Sequence, residues 1–172
     1  MTLHGLATRA FSVVVVLTIL AVAAPARAAA QGIGIEVGQP APSALVETLD
    51  GRPVDLATVT AQGPTLIEFW AVWCPVCRAL EPRVRAAQAK YGKQMRFVSV
   101  AVSVNESRER VKRHVAAHNT PGEHYFDRSG KAADAYDVPA TSYVVVVDRK
   151  GKVVYTGLGE GQDLEAAVRK GL

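Results

Sequence analysis

Between Thr65 and Trp70 the chain is apolar or β-branched at every position but Glu68, and Gly63-Pro64 marks the start of the run. A stretch this short, bounded by breakers, predicts a buried strand. Phe97 to Val104 repeats the pattern and predicts a second buried strand, suited to a parallel position. Between them Leu80, Val84, Ala87 and Tyr91 recur at helical spacing, with Arg78, Glu81, Arg85 and Lys90 on the other side. That is an amphipathic helix lying on a sheet. Pro82 removes a main-chain bond inside it and predicts a kink; Gly92 ends it. Further on, Ser107 to Asn119 reads as a helix stopped by Thr120-Pro121-Gly122, His124 to Phe126 as a short strand, and Ser129 to Tyr136 as a short helix. Two hairpins flank this middle section. One joins Ala44–Leu49 to Pro53–Leu56 around Asp50-Gly51-Arg52; the other joins Tyr143–Val147 to Lys152–Tyr155 around Asp148-Arg149-Lys150-Gly151. Asp163 to Lys170 closes the chain as a helix, with Glu165 and Arg169 at i,i+4 and Gly171 beyond its end. The order predicts an α/β fold, a central mixed sheet flanked by helices.

The first 28 residues stand apart. Arg9 precedes a run from Phe11 to Ala24 that is almost wholly apolar, and Ala26-Arg27-Ala28 supplies small residues around a cleavage point. This order is that of a secretory signal peptide. Left uncleaved, residues 11–24 would serve as a membrane anchor, although the run is shorter than the roughly 20 residues a spanning helix wants. Residues 29–172 then form a single domain, opening with an Ala/Gly/Pro-rich lead-in from Ala29 to Pro42. Loss of Arg9 and Arg27 with the signal lowers the formal net charge from +4 to +2. The basic balance therefore needs no nucleic-acid partner, and no basic stripe with interleaved aromatics supports one.

Both cysteines, Cys74 and Cys77, follow the first buried strand directly. Pro75 suits the first position of a helix, which puts Cys74 near the N-cap. There a thiolate receives backbone N–H groups and the positive end of the helix dipole, and both lower a thiol pKa. Cys77 lies one turn on, close enough for a disulfide. A purely structural bridge would close too small a loop to constrain the unfolded chain much. A zinc site lacks a second cysteine pair, and His114 and His118, although at i,i+4, lie far along the chain. Export places the pair where disulfides persist, against two inert thiols. The reading that prevails is a redox-active dithiol, with Cys74 the accessible nucleophile and Cys77 its buried resolving partner.

The segment Phe69-Trp70-Ala71-Val72-Trp73-Cys74-Pro75-Val76-Cys77-Arg78, with Pro82 five residues after the second cysteine, resembles the active site of the thioredoxin superfamily. Val37-Gly38-Gln39-Pro40-Ala41-Pro42, the Asp50-Gly51 hairpin, Val98 to Ser103 and Asp148 to Val154 are similar to its exported TlpA/ResA-like branch. The resemblance covers residues 37 to 172. It implies a thioredoxin-like fold with an N-terminal β-hairpin extension, and thiol–disulfide exchange in the periplasm or an equivalent exported space. It also implies partner proteins with disulfides or thiols, apocytochrome c or copper-site thiols among them, and a membrane thiol electron donor. No cofactor is expected beyond the Cys74–Cys77 disulfide.

Two departures from the family pattern bear on mechanism. Glu68 takes the place where thioredoxin has a buried aspartate. A carboxylate under the dithiol, its pKa raised by burial, would take the proton of Cys77 during exchange; the plainer reading is a merely satisfied or snorkelling polar residue. The family also carries a cis-proline opposite the dithiol, where the backbone docks the substrate chain. Without gaps that position falls on Ser142, and with a longer following strand on Pro139. Ser142 in trans is the expectation. Trp73, Pro75, Thr141, Ser142 and Pro139 are thus the expected docking residues. The absent proline also favours a second reading, a non-enzymatic copper- or partner-binding module built on the same thiols. With no His or Lys between the cysteines, a reducing potential is expected rather than a strongly oxidising one.

Overall fold

The computed structural model describes residues 33–172. The segment expected to be a signal peptide and the first residues of the lead-in lie outside them, and among the described residues no helix is long and apolar enough to cross a membrane. The chain forms β1 (Leu45–Thr48), β2 (Pro53–Asp55), α1 (Leu56–Thr60), β3 (Thr65–Trp70), α2 (Pro75–Tyr91) and β4 (Arg96–Val102). After these come α3 (Arg108–His118), β5 (Glu123–Asp127), α4 (Lys131–Ala135), β6 (Tyr143–Val147), β7 (Val153–Leu158) and α5 (Leu164–Gly171). One seven-stranded sheet runs in the order β2-β1-β5-β4-β3-β6-β7. β3 and β5 lie parallel to β4, and the two hairpins add antiparallel edges. This is the predicted mixed sheet with its N-terminal hairpin.

Strand alternation divides the core. Leu66, Phe97, Val144 and Val146 meet Leu80, Val84 and Ala87 of α2 and Leu164 and Val168 of α5. The intervening residues Ile67, Phe69, Val98, Val100 and Val145 turn to the other face, with Leu56, Val59, Tyr136 and Tyr143. At about 1.5–3 kcal/mol for each large side chain buried, these two layers hold the end of β3 and the start of α2 rigidly between them.

Five expectations are corrected. Leu56 opens a helix rather than ending a strand, because the Asp55 carboxylate caps it by accepting from Ala57 N–H at 2.8 Å. β4 stops at Val102, which leaves Val104 in a loop and 62% exposed. β7 continues to Leu158, since Thr156 and Gly157 pair with Val145 and Val144. Gly171 is the last residue of α5, buried near Met95 and Val146, where a Cβ would not fit. The lead-in is not loose throughout. Gly38 N–H donates to Val153 O at 2.7 Å, Val153 N–H to Gln39 O at 2.9 Å and Ala41 N–H to Gly151 O at 2.8 Å.

Candidate functional site

β3 ends at Trp70, and a tight turn in which Cys74 N–H donates to Ala71 O at 3.1 Å brings the chain to α2. Cys74 is the N-cap of that helix, with extended φ and ψ, and Pro75 takes its first position. Cys77 N–H donates to Cys74 Sγ at 3.0 Å, so the sulfur occupies the place of a capping oxygen. Cys74 and Cys77 are joined in a disulfide with their Cα atoms 5.4 Å apart. Both are buried, at 2% and 4% exposure, in contrast to the accessible Cys74 expected. In this oxidised state the sulfurs face each other and the helix amides, beneath a rim of exposed Trp73, Pro75 and Val76. What distinguishes the two cysteines is therefore the N-cap position, not exposure.

The turn before Cys74 is tied from outside by residues the sequence did not single out. Glu106, whose side chain is wholly buried, accepts from Val72 N–H at 3.0 Å and from Ser107 N–H at 3.1 Å. Arg78 donates to Val72 O at 3.3 Å, and Trp73 Nε1 donates to Val104 O at 2.8 Å. Between Val104 and Glu106, Asn105 holds a left-handed φ of 50°, a conformation asparagine tolerates better than most residues. Nothing in the local pattern marks Glu106, because its partner lies 34 residues earlier.

Glu68 lies on the sheet face covered by α2, whose buried residues begin with Cys77 and Leu80. Among the described residues its carboxyl group has no hydrogen-bond partner. Burial, helped by the nearby charge of Glu81, pushes its pKa from 4.5 to about 8. At neutral pH Glu68 is thus mostly a carboxylic acid in equilibrium with a minor carboxylate fraction, and it is that ionised fraction, growing towards pH 8, that can take up a proton.

Opposite the turn, Thr141 and Ser142 lead into β6. No described peptide bond is cis. Ser142 N–H donates to Phe69 O at 2.8 Å, which sets this residue directly beside the end of β3. Ser142 is fully buried with φ 69°, and its hydroxyl has no partner. Its carbonyl accepts from Gly159 N–H at 3.1 Å and from the buried Gln162 Nε2 at 3.1 Å, a brace invisible to sequence. Pro139 is instead exposed, and with Trp73, Val102, Val104, Val138 and Thr141 it lines an apolar groove of about 440 Å³. Of the expected docking residues, Trp73, Thr141 and Pro139 meet in this groove. Pro75 stands on the rim above the disulfide, and Ser142 lies beneath, as a support. His114 packs against Trp70 at 5.7 Å and stacks on His118 at 4.2 Å. Among the described residues no three His, Cys, Asp or Glu side chains are grouped to hold a metal ion.

A mixed sheet that delivers a CxxC disulfide to a helix N-terminus defines a thioredoxin-like thiol–disulfide oxidoreductase. Comparison with known proteins agrees. The Redoxin family model matches residues 36–170, and the chain belongs to that family. The thiol-disulfide oxidoreductase ResA of Bacillus cereus is 26% identical over 138 residues, 79% of each chain. The methylamine utilization protein MauD of Methylobacillus flagellatus is 30% identical over 126 residues, 73% of this chain and 58% of that protein. Among solved structures, a thio-disulfide isomerase from Thermus thermophilus superposes with a TM-score of 0.65 at 29% identity, covering 80% of this chain and 98% of that one.

Proposed function

We propose that the protein is an exported reductant of disulfides in partner proteins, with Cys74 attacking, Cys77 resolving and Glu68 handling the proton. The observation that carries this reading is Cys74 at the N-cap of α2, its sulfur already receiving the Cys77 amide, beside an apolar groove. In the reduced protein the same amide and the helix dipole favour the Cys74 thiolate. Cys74 S⁻ attacks one sulfur of the partner disulfide; that bond breaks, one partner thiolate leaves and a mixed disulfide forms. Cys77 then attacks Cys74 Sγ while its proton passes to the Glu68 carboxylate. The second partner thiolate leaves, and the Cys74–Cys77 bond holds the oxidised pair. Two electrons have moved to the partner, and a membrane thiol donor would return the protein to its dithiol.

The groove suits an extended substrate segment. Among the described residues Thr141 makes no main-chain hydrogen bond, so its N–H and carbonyl are available to pair with a passing strand. Trp73, Val104 and Val138 would take the apolar side chains next to the substrate cysteine. Apocytochrome c and copper-site thiols are the substrates the TlpA/ResA resemblance points to, and the signal-like first 28 residues support export.

Insulin reduction driven by a dithiol donor, measured beside a copper(I) titration, tests the reading. Turnover that disappears in Cys74→Ser supports it. Stoichiometric copper(I) binding by the two thiols without turnover would establish the metal-binding alternative in its place.

A further inference from the structure

A base as enclosed as Glu68 must also release its proton after each turnover, and the sheet register shows where the next polar groups stand. Glu68 pairs with Ser99 on β4, and Ser99 pairs with His124 on β5. Parallel register puts the three side chains on one face, in a row at the strand spacing of about 4.8 Å. On the other side Glu68 faces Val144, so the polar row leads one way only.

The hydrogen bonds along the row are incomplete in a directional sense. Ser99 Oγ is buried and donates only across 3.5 Å, to Pro121 O. His124 Nε2 lies 3.1 Å from Thr120 O. A carbonyl only accepts, so Nε2 carries the hydrogen and Nδ1 is the bare nitrogen. That Nδ1 is buried without a partner, as is the neighbouring Thr120 Oγ1. Burial lowers the His124 pKa and keeps the ring neutral. The ring itself is only partly buried. The row is roofed by α2 and the end of α3, where Arg85 bonds both Asn119 O at 3.0 Å and Glu81 at 2.6 Å. Glu81 is the charged group that bears on Glu68, and it is held by Arg85.

We propose that Glu68, Ser99 and His124 form a lateral proton path through which the buried side of the dithiol exchanges its proton with solvent. The path rests on the reading of Glu68 as proton acceptor. As Cys77 attacks Cys74 Sγ, its S–H proton goes to the Glu68 carboxylate. The carboxylic O–H gives its proton to Ser99 Oγ, and Ser99 gives its own hydroxyl proton to His124 Nδ1. The imidazolium so formed loses its Nε2 proton to water that reaches the partly buried ring. No electrons travel along the row; the Cys77 sulfur pair goes into the new S–S bond.

The test uses the reduced full chain and an aromatic disulfide whose thiolate absorbs. One aryl thiolate is released when Cys74 attacks and a second when Cys77 resolves, so the two steps are read separately. In Glu68→Gln the second phase should slow by about 10²-fold or more, the usual contribution of a positioned base. Ser99→Ala and His124→Phe should slow the same phase by about tenfold at low buffer, a part of that contribution, and leave the first phase unchanged. Added imidazole should restore the rate in both. His124→Gln, which keeps a donor to Thr120 O without a titratable ring, should behave like His124→Phe and guards against misfolding of the latter. If Glu68→Gln is slow while Ser99→Ala and His124→Gln resolve at the wild-type rate, the path is overturned and the base stands. A wild-type rate in Glu68→Gln overturns both.

Discussion

Removing the Glu68 charge without changing the side chain's size should alter the pH dependence of stability in a way that only a buried, unpaired carboxyl predicts. In the unfolded chain this carboxyl titrates near 4.5, and in the folded protein near 8. The folded value is the higher one, so the acid form favours folding. Its contribution is complete below pH 4.5 and falls as the unfolded chain ionises while the folded protein keeps its proton. The loss levels off above pH 8. A displacement from 4.5 to about 8 corresponds to roughly 5 kcal/mol at about 1.4 kcal/mol per unit. Much of the stability of a domain of this size, about 5–15 kcal/mol, is therefore exposed to pH through one side chain. Glu68→Gln carries whatever constant penalty its buried amide brings, but no titration. Urea unfolding of both proteins from pH 4 to pH 9 should show the variant gaining on the wild type across this interval, most steeply between pH 5 and pH 8. A difference flat to within about 1 kcal/mol would mean that Glu68 ionises freely in the folded protein, and would remove the case for it as a proton acceptor.

Other perturbations probe the frame around the disulfide. Alkylation against pH in the single-cysteine variants should find Cys74, in Cys77→Ser, reactive at a lower pH than Cys77 in Cys74→Ser; equal reactivity at neutral pH would reverse or abolish the assigned roles. Ser142→Pro should destabilise by about 3 kcal/mol, because proline cannot reach the φ of 69° and removes the N–H bonded to Phe69 O. Ser142→Gly should instead stabilise by about 1 kcal/mol by relieving the left-handed backbone and the unpaired hydroxyl; thermal melts of the two variants separate these outcomes. Glu106→Ala should cost about 3 kcal/mol, since it strands Val72 N–H and Ser107 N–H. Glu106→Gln, which keeps an acceptor for one of them, should cost less in the same urea titration.

Much of the fold was legible because its signals are local. Thr65–Trp70 could be read as a buried strand, and Pro75 after Cys74 as a helix start, from a dozen consecutive residues. The five-residue α1 carries too few turns for periodicity, and its β-branched Thr58, Val59 and Thr60 argue for a strand, so only the Asp55 cap betrays it. The strand expected to end at Tyr155 runs on to Leu158, because Thr156 and Gly157 pair with Val145 and Val144, a partnership that no pattern near Tyr155 contains. The site divides in the same way. The disulfide is written in four residues. Glu106 acts on Val72, Gln162 on Ser142, and His124 joins Glu68 only through two strand registers, so each depends on contacts that no local pattern contains.

The stitching of Gly38–Ala41 onto the first residues of β7 has a consequence for how the molecule behaves in a crowd. An outer strand with free amides and carbonyls is a template on which another copy can extend the sheet, and so a seed for aggregation. Here the protein's own leading segment occupies that template at the Val153 end. At the sheet's other edge β2 is only three residues long, too short to recruit a partner strand firmly. A chain lacking the residues before Ser43 would retain the disulfide and the groove, but would lose Ile35 from one core layer and uncover the Val153 end of β7. Such a protein would be lost first to polymerisation rather than to unfolding, and its solubility would fall with concentration before its redox chemistry changed.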